Sequence, residues 1–223
     1  MSMIIAVNAG SSSLKFQLYK MPGYQVITQG VVERIGQEIG NVVIKHHGQK
    51  NSYQQPFPTH KEAVECVLKL LIENKIINSL DEIVACGHRV VHGGEYFSHS
   101  VIVDEEVERK VEELSELAPL HNPANLIGYR SFKEALPNAN HVFAFDTAFH
   151  QTLDDERYLY PLPYEYYEDF RVRKYGFHGL SHLYVSQKII EYLGHPKHSR
   201  IIVCHLGLSL IHISEPTRLQ LIS

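Results

Sequence analysis

The sequence predicts a mixed α/β fold, in which strands joined by short turns come first and helices alternate with strands afterwards. The opening residues alternate apolar and polar side chains with a period of two, which is typical of a half-buried strand. Later segments space their apolar residues three and four apart, which is typical of amphipathic helices. An early run of strands followed by helix–strand alternation indicates a sheet with flanking helices.

The chain is expected to open with a β-hairpin. Ile4–Val7 is a short apolar run, and Leu14–Tyr19 alternates apolar with polar residues. The small residues of Ala9–Ser13 between them predict a tight turn. Two further strands are predicted over Gln25–Val32 and Asn41–Lys45, so the early sheet is expected to be antiparallel or mixed.

Helices and strands are expected to alternate from Thr59 onward. Thr59 followed by Glu62 has the capping-box pattern of a helix N-terminus, and Pro123 suits the first turn of another helix. Predicted helices begin at Thr59, Asp104, Asn122 and Ser181, and predicted strands cover Ile83–Cys86, Val142–Phe145 and Ile201–Leu206.

The composition is that of an ordinary globular protein. Hydrophobic residues make up 44% of the chain, and the net charge of -4 gives no basic footprint for nucleic acid or an anionic membrane. No apolar run approaches the roughly 20 residues of a membrane span, and the first residues lack the pattern of a signal peptide. We therefore expect a cytoplasmic protein. Cys66, Cys86 and Cys204 are expected to be small buried hydrophobes, because their number and spacing suit neither a disulfide framework nor a zinc site.

The C-terminal residues have a different character from the rest. Residues 208–218 read Leu-Ser-Leu-Ile-His-Ile-Ser-Glu-Pro-Thr-Arg, which is codon for codon the translation of a transposase sequencing adaptor. We therefore expect Leu208–Ser223 to be non-native adaptor read-through that follows Gly207 and contributes no residue to a functional site. The alternative interpretation is an ordinary strand over Leu208–Ile213.

The turn of the opening hairpin is the first segment that could carry chemistry. Glycine and serine between Asn8 and Lys15 let the backbone approach an anion closely, while hydroxyls, amides and the lysine can bind phosphate oxygens. Asn8 could offer its carbonyl oxygen to a hydrated Mg²⁺. The segment is not a Walker loop, because a strand and not a helix follows. An ordinary turn without a ligand remains the alternative.

Four later segments combine histidine with charged or small residues. Gly87–Glu95 contains Arg89, which could hold a carboxylate with two parallel hydrogen bonds. Leu117–Pro123 places His121 at a helix N-terminus, where anions are favoured. The other two are Phe145–His150, with Asp146 at the end of a strand, and Tyr175–His182, a loop that leads into a helix. Taken alone, each histidine is more often a surface residue or a hydrogen-bonded core residue than a site residue.

In combination, these five segments closely resemble the acetate kinase family, in the superfamily that also contains sugar kinases, Hsp70 and actin. The resemblance extends from about Met3 to Gly207. It implies an actin-like, ribonuclease H-like N-terminal domain over residues 1–150 and the incomplete beginning of a second, nucleotide-binding domain over residues 151–207. It also implies reversible phosphoryl transfer from ATP to acetate with Mg²⁺, or Mn²⁺ in its place, by an intact enzyme that is a homodimer.

The resemblance implies roles for individual residues as well. Arg89 would hold the acetate carboxylate, Asp146 corresponds to the active-site acid, and His178 would stabilise the transition state. Asn8 would contact the metal. The remaining implied contacts are Val91, Leu120 and Phe177 around the methyl group of acetate, and Lys15, Ser11, Ser13, His205, Leu206 and Gly207 near the phosphates of ATP.

After Gly207 the family's second phosphate loop continues Asn-Gly-Ala-Ser, whereas this chain continues with Leu208 and Ser209. The resemblance also implies that the family's second domain supplies the rest of the nucleotide pocket, a second active-site arginine and a metal-binding glutamate. We therefore expect the chain as written to lack useful kinase activity. Three alternatives remain: a propionate kinase of the same family, a non-catalytic binding module of the actin-like fold, and a zinc hydrolase. The last would use the pairs His88/His92 and His178/His182, but the first pair reads as strand and turn and no His-Glu-x-x-His pattern occurs.

Overall fold

A computed structural model describes residues 2–207, which form two compact units. Within the described range, the first comprises residues 2–92 and 100–144, and the second comprises residues 93–99 and 145–207. The predicted domain boundary after residue 150 stays a prediction. The segment predicted to be adaptor read-through, residues 208–223, lies outside the described residues.

Eight strands form one mixed sheet. Strands β1 to β5 make an antiparallel meander, and β6 pairs parallel with β1. The order across the sheet is β5-β4-β3-β2-β1-β6-β8-β7. The strands are β1 Met3–Ala9, β2 Ser13–Lys20, β3 Gln25–Glu33, β4 Gly40–His46, β5 Gln49–Gln55, β6 Ile83–Val90, β7 Val101–Ile102 and β8 Asn140–Phe145.

Among residues 2–207, three α-helices belong to the first unit and three to the second. The first three are α1 His60–Glu73, α2 Glu105–Glu113 and α3 Asn122–Ala135, and the others are α4 Asp155–Tyr158, α5 Glu165–Phe170 and α6 Gly179–Tyr192. The capping box predicted at Thr59 and Glu62 is confirmed, with both reciprocal hydrogen bonds present. None of the helices in the described part of the chain combines the length and apolarity that crossing a bilayer requires.

The core of the first unit lies on one face of its sheet. Alternate residues of β1 and β2 are buried there because successive strand side chains point to opposite faces. The apolar faces of α1 and α3 cover this side. Residues central to this core are Ile5, Leu14, Phe16, Leu18, Val64, Leu71 and Phe132.

The sequence predicted most elements correctly and missed or misplaced a few. The mixed sheet and the opening hairpin are confirmed. Strand β5 was not predicted, because its residues are polar and exposed on both faces. Strand β6 is longer than predicted, and the predicted strand Ile201–Leu206 is wrong, since these residues join no ladder within the described range. Cys204 is accordingly exposed and not buried as predicted, Cys66 is half-buried, and Cys86 is buried.

Helix α3 approaches β1 so closely that Gly128 cannot carry a side chain without movement. A Cβ atom at Gly128 would lie 2.4 Å from the Cβ of Ala9. We predict that Gly128→Ala lowers the free energy of unfolding by about 1 kcal/mol, because overpacking costs about 1–3 kcal/mol and the gain in helix propensity is only about 1 kcal/mol. Urea denaturation measures the change.

Gly23 provides the matched control, since a Cβ there meets nothing within 4 Å. Gly23→Ala should therefore leave the unfolding midpoint close to that of the unchanged chain. A Gly128→Ala variant as stable as the Gly23→Ala variant would contradict the close approach of α3 to β1.

Candidate active site

In the first unit, Asn8, Lys15 and Arg89 lie on the same face of three neighbouring strands. Asn8 of β1 pairs directly with Lys15 of β2, and Val7 pairs with His88 of β6. Because strand side chains alternate and His88 is buried on the helix-covered face, Arg89 points to the opposite face. The parallel strands β1 and β6 both have their carboxyl ends here. The candidate metal ligand Asn8 and the cations Lys15 and Arg89 therefore lie at the same end of these strands.

The serine turn between β1 and β2 is anchored by its backbone. Gly10 donates its N–H to the Ser13 carbonyl at 2.8 Å, and a ring nitrogen of His60 lies 2.7 Å from the Gly10 carbonyl. Ser11 is exposed and Ser13 is half-buried. The exposed hydroxyl of Ser11 and Lys15, which is also exposed, can therefore reach an anion above the turn.

Two asparagines of α3 hold the segments that follow β1 and β6. Asn125 donates to the Ala9 carbonyl at 2.7 Å and accepts from the Val91 N–H at 3.1 Å. Asn122 accepts from the His92 N–H and donates to the His92 carbonyl, both at 3.0 Å. Sequence reasoning used Asn122 only as a helix start and missed Asn125. A polar residue on the buried face of a predicted helix indicates a hydrogen bond to another segment, and this signal was available for Asn125.

Two residues predicted to contact substrate lie just before α3. His121 is the N-cap of this helix, but its side chain is exposed and makes no capping hydrogen bond. Leu120 is 80% exposed. Val91 is half-buried and held by its backbone.

In the second unit, Asp146 and His178 lie side by side. Asp146 follows β8 directly and is 1% exposed. Its backbone carbonyl accepts the Gly179 N–H at 2.8 Å, and its Oδ2 lies 3.9 Å from the Nδ1 of His178. His178 has a left-handed backbone with φ of 57° and is the N-cap of α6. The carboxylate of Asp146 therefore faces the ring of His178.

His205 stacks on His178. The two ring centroids are 4.4 Å apart with planes inclined by 8°, and the Nδ1 of His205 is 3.0 Å from the Ser181 hydroxyl. Leu206 is exposed, as is Phe177 to a smaller extent, and Gly207 is half-buried. Of the three residues predicted to begin the second phosphate loop, His205 is therefore the one held beside His178.

His150 supports the loop that carries His178, a role that sequence reasoning missed. A Cβ at Gly176 would lie 2.0 Å from the His150 ring, and one at Gly179 would lie 2.3 Å from the Asp146 carbonyl. Both positions therefore require glycine. The Nδ1 atoms of His150 and His182 are buried without a hydrogen-bond partner within the described residues.

A partly buried ion pair joins two segments of this unit. Arg173 donates to a Glu95 carboxylate oxygen at 2.9 Å, and the Tyr167 hydroxyl donates to the same oxygen at 2.8 Å. The guanidinium of Arg173 also lies 3.6 Å from the Tyr158 ring centre. The pair ties the loop over residues 93–99 to the segment that precedes His178. Sequence reasoning missed the pair because its members are far apart in the chain.

The chain matches the acetokinase family over residues 3–213. It is 57% identical over 208 residues to an acetate kinase of Bacillus mycoides (strain KBAB4), a match that covers 93% of this chain and 52% of that protein. The chain therefore spans about half of the length of the curated relatives it matches. The family match ends inside residues 208–223, whose predicted adaptor origin stays a prediction.

Solved structures give the same result. The structure superposes on an acetate kinase from Porphyromonas gingivalis with a TM-score of 0.87 and 45% identity, covering 93% of this chain and 53% of that one. A propionate kinase from Francisella tularensis gives a TM-score of 0.86 and 40% identity over 93% of this chain and 53% of that one. The predicted fold is confirmed, and the chain belongs to the acetokinase family.

Two buried histidines make stability depend on pH. Burial lowers the pKa of His92 to about 4 and that of His150 to about 4, whereas histidines in the unfolded chain titrate near 6.5. Between pH 6.5 and 4 the unfolded chain therefore binds more protons, so stability falls as the pH falls. We predict that each histidine removes about 2 kcal/mol from the free energy of unfolding between pH 7 and pH 5.

Urea denaturation of His92→Gln at both pH values tests this prediction. The variant should lose less stability on acidification than the unchanged chain. His198→Gln is the control, because His198 is exposed. If both variants show the same loss as the unchanged chain, His92 is not a buried neutral histidine.

Asn125 is predicted to position both loops through its amide group. Asn125→Asp keeps the shape and can still accept from the Val91 N–H, but it cannot donate to the Ala9 carbonyl. A buried carbonyl without its donor costs about 1–3 kcal/mol, so thermal unfolding should begin at a lower temperature. Asn140→Asp, on an exposed residue, should have little effect, and equal melting temperatures for the two variants would refute the role of Asn125.

Proposed function

We propose, from its membership of the acetokinase family, that the protein to which this chain belongs transfers a phosphoryl group between ATP and acetate. The products in one direction are acetyl phosphate and ADP. The observation that carries the proposal is the placement of family-matched residues in each unit: Asn8, Lys15 and Arg89 on one sheet face, and Asp146 beside His178.

Arg89 is the proposed ligand of the acetate carboxylate. Acetate is already ionised at neutral pH, so its oxygen can attack phosphorus without a general base. A guanidinium matches a carboxylate with two parallel hydrogen bonds, which would fix the direction of attack. Catalysis would then consist of positioning and charge neutralisation.

The first unit also offers groups for the phosphates. Lys15 and the Ser11 and Ser13 hydroxyls are proposed to contact phosphate oxygens at the turn, as His121 would at the N-terminus of α3. The half-buried Asn8 supplies one neutral oxygen, which suits a Mg²⁺ ion, or Mn²⁺, that keeps most of its ligands from water and phosphate. Such an ion would neutralise phosphate charge.

In the second unit, His178 is proposed to donate a hydrogen bond to the equatorial oxygens of the moving phosphoryl group. Donors aimed at developing charge often give the largest single catalytic contribution. Asp146 is proposed to orient the ring of His178, because its carboxylate Oδ2 lies 3.9 Å from Nδ1. His205, stacked on the same ring, would restrict its rotation and extend the phosphate contacts toward Leu206 and Gly207.

Propionate is the second candidate substrate, since the similar structure from Francisella tularensis is described as a propionate kinase. We favour acetate because relatives at 57% identity are described as acetate kinases. Val91, Leu120 and Phe177 are the proposed neighbours of the methyl group. One extra methylene changes specificity by about 10–200-fold, so comparison of kcat/KM for the two acids separates these candidates.

Two other interpretations have less support. A zinc hydrolase would need His88/His92 or His178/His182 within a cluster of ligands, and the one group of three candidate ligands in the described residues instead joins Cys86, His88 and His141. A non-catalytic binding module would not need the pairing of Asp146 with His178. Homodimer formation by the intact enzyme stays a proposal.

We further propose that these 223 residues alone have no useful kinase activity, because the family resemblance implies a second arginine and a metal-binding glutamate in the other half of its members. A coupled assay with ATP and acetate should show no turnover. Joining residues 1–207 to the second half of the Bacillus mycoides relative should restore activity, and failure of a folded chimera to turn over acetate or propionate would overturn the proposed function.

Variants of the chimera test individual roles. His178→Ala should lower kcat by about 10²–10³-fold with little change in the KM for acetate. Arg89→Ala should raise the KM for acetate as well as lower kcat. His198→Ala, an exposed histidine, is the control. Near-normal kcat in His178→Ala would remove this residue from the mechanism.

A further inference from the structure

Three side chains with sulfur or nitrogen donor atoms meet inside the first unit, on the face of β6 opposite to Arg89. Cys86 and His88 lie two positions apart on β6 and so share its helix-covered face. His141 lies on the adjacent strand β8. One ligand atom from each lies within 4.8 Å of the other two. All three side chains are buried, with exposed fractions of 0%, 3% and 7%.

The two histidine rings are already oriented toward each other. The Nε2 of His88 is 3.0 Å from the Nδ1 of His141, and the Nε2 of His141 is 3.3 Å from the Leu136 carbonyl. Because a carbonyl only accepts, the Nε2 of His141 carries its proton and the Nδ1 presents a lone pair toward His88. Metal-binding histidines typically have this second hydrogen bond to a carbonyl.

The surroundings decide which ion fits. The rings of Tyr129, Phe132 and Phe143 pack edge-on around His88, so the site is apolar and a net charge in it is costly. One thiolate and two neutral imidazoles carry a single negative charge. A monovalent cation leaves the site neutral, whereas Zn²⁺ leaves a buried positive charge without a partner.

We propose that Cys86, His88 and His141 form a binding site for a soft monovalent metal ion, Cu⁺ or its redox-inert analogue Ag⁺. Thiolate and imidazole are the ligands that such ions prefer. On binding, the Cys86 thiol releases its proton to solvent, and the His88 proton moves from Nε2 to Nδ1. The metal then bonds to one sulfur and two nitrogens in place of the hydrogen bond between the rings, without change in oxidation state.

This site is independent of the proposed kinase function. Cys86 and His88 face the helices, whereas the neighbouring Arg89 points to the other face of β6. The bound ion would link β6 to β8 across the sheet. Binding to the folded chain alone raises its melting temperature.

Titration of the purified chain with Ag⁺ tests the proposal. Cys66 and Cys204 are partly or fully accessible thiols, so the parent for all measurements carries Cys66→Ser and Cys204→Ser. We expect one equivalent of Ag⁺ to bind the folded parent, to release one proton and to raise its melting temperature. Adding Cys86→Ser should weaken binding by more than about 100-fold, since even an outer-shell partner is worth 10–100-fold.

A second measurement does not depend on the folding of the Cys86→Ser variant. Nitrogen chemical shifts of the histidine rings in the parent should change on saturation with Ag⁺ at His88 and His141. Exposed His198 is the internal control. Zn²⁺ at equal concentration should not displace Ag⁺. Any of three results would overturn the proposal. The ring nitrogen shifts of His88 and His141 could stay unchanged, Zn²⁺ at equal concentration could displace Ag⁺, or a folded Cys86→Ser variant could bind Ag⁺ as tightly as the parent.

Discussion

The close approach of α3 to β1 is the constraint on which the first unit depends. Gly128 lets the helix backbone come within side-chain contact of Ala9, and only at that separation can Asn125 reach the segments after both β1 and β6. One buried amide thus fixes two loops that are far apart in sequence. The orientation of Arg89 and Asn8 relative to each other then follows from strand pairing, which leaves little freedom at this edge of the sheet.

In the second unit, backbone geometry and not a buried amide places the candidate site residues next to each other. The left-handed N-cap at His178 requires the loop before α6 to pass directly over Asp146 and His150, and Gly176 and Gly179 make that passage possible. A hydrogen bond between backbone groups of Asp146 and Gly179 closes the turn. The acid and the histidine are therefore aligned by backbone geometry before any ligand is bound, which reduces the entropic cost of ordering them.

Histidines take three distinct roles in this chain. His88 and His141 form a buried neutral pair, in which burial lowers the pKa of His88 to about 3. His150 supports a loop through packing. His178 is only partly buried, and its ring faces the carboxylate of Asp146. Burial and the neighbouring groups decide among these roles, because the residue type alone permits all of them.

The sequence by itself determined the class of fold, the hairpin turn, the starts of α1, α2 and α3, and the family. Each of these depends on hydrophobic periodicity, capping residues or motifs that lie within short stretches of the chain. Tertiary structure decided what these stretches contact. Asn125, the pairing of Glu95 with Arg173, and the cluster around Cys86 join residues distant along the chain, and local patterns carry no information about such pairs. The sequence did not predict the polar edge strand β5, and it wrongly predicted a strand over Ile201–Leu206. Both errors have the same cause, because strand formation depends on a pairing partner as well as on the residues of the strand itself.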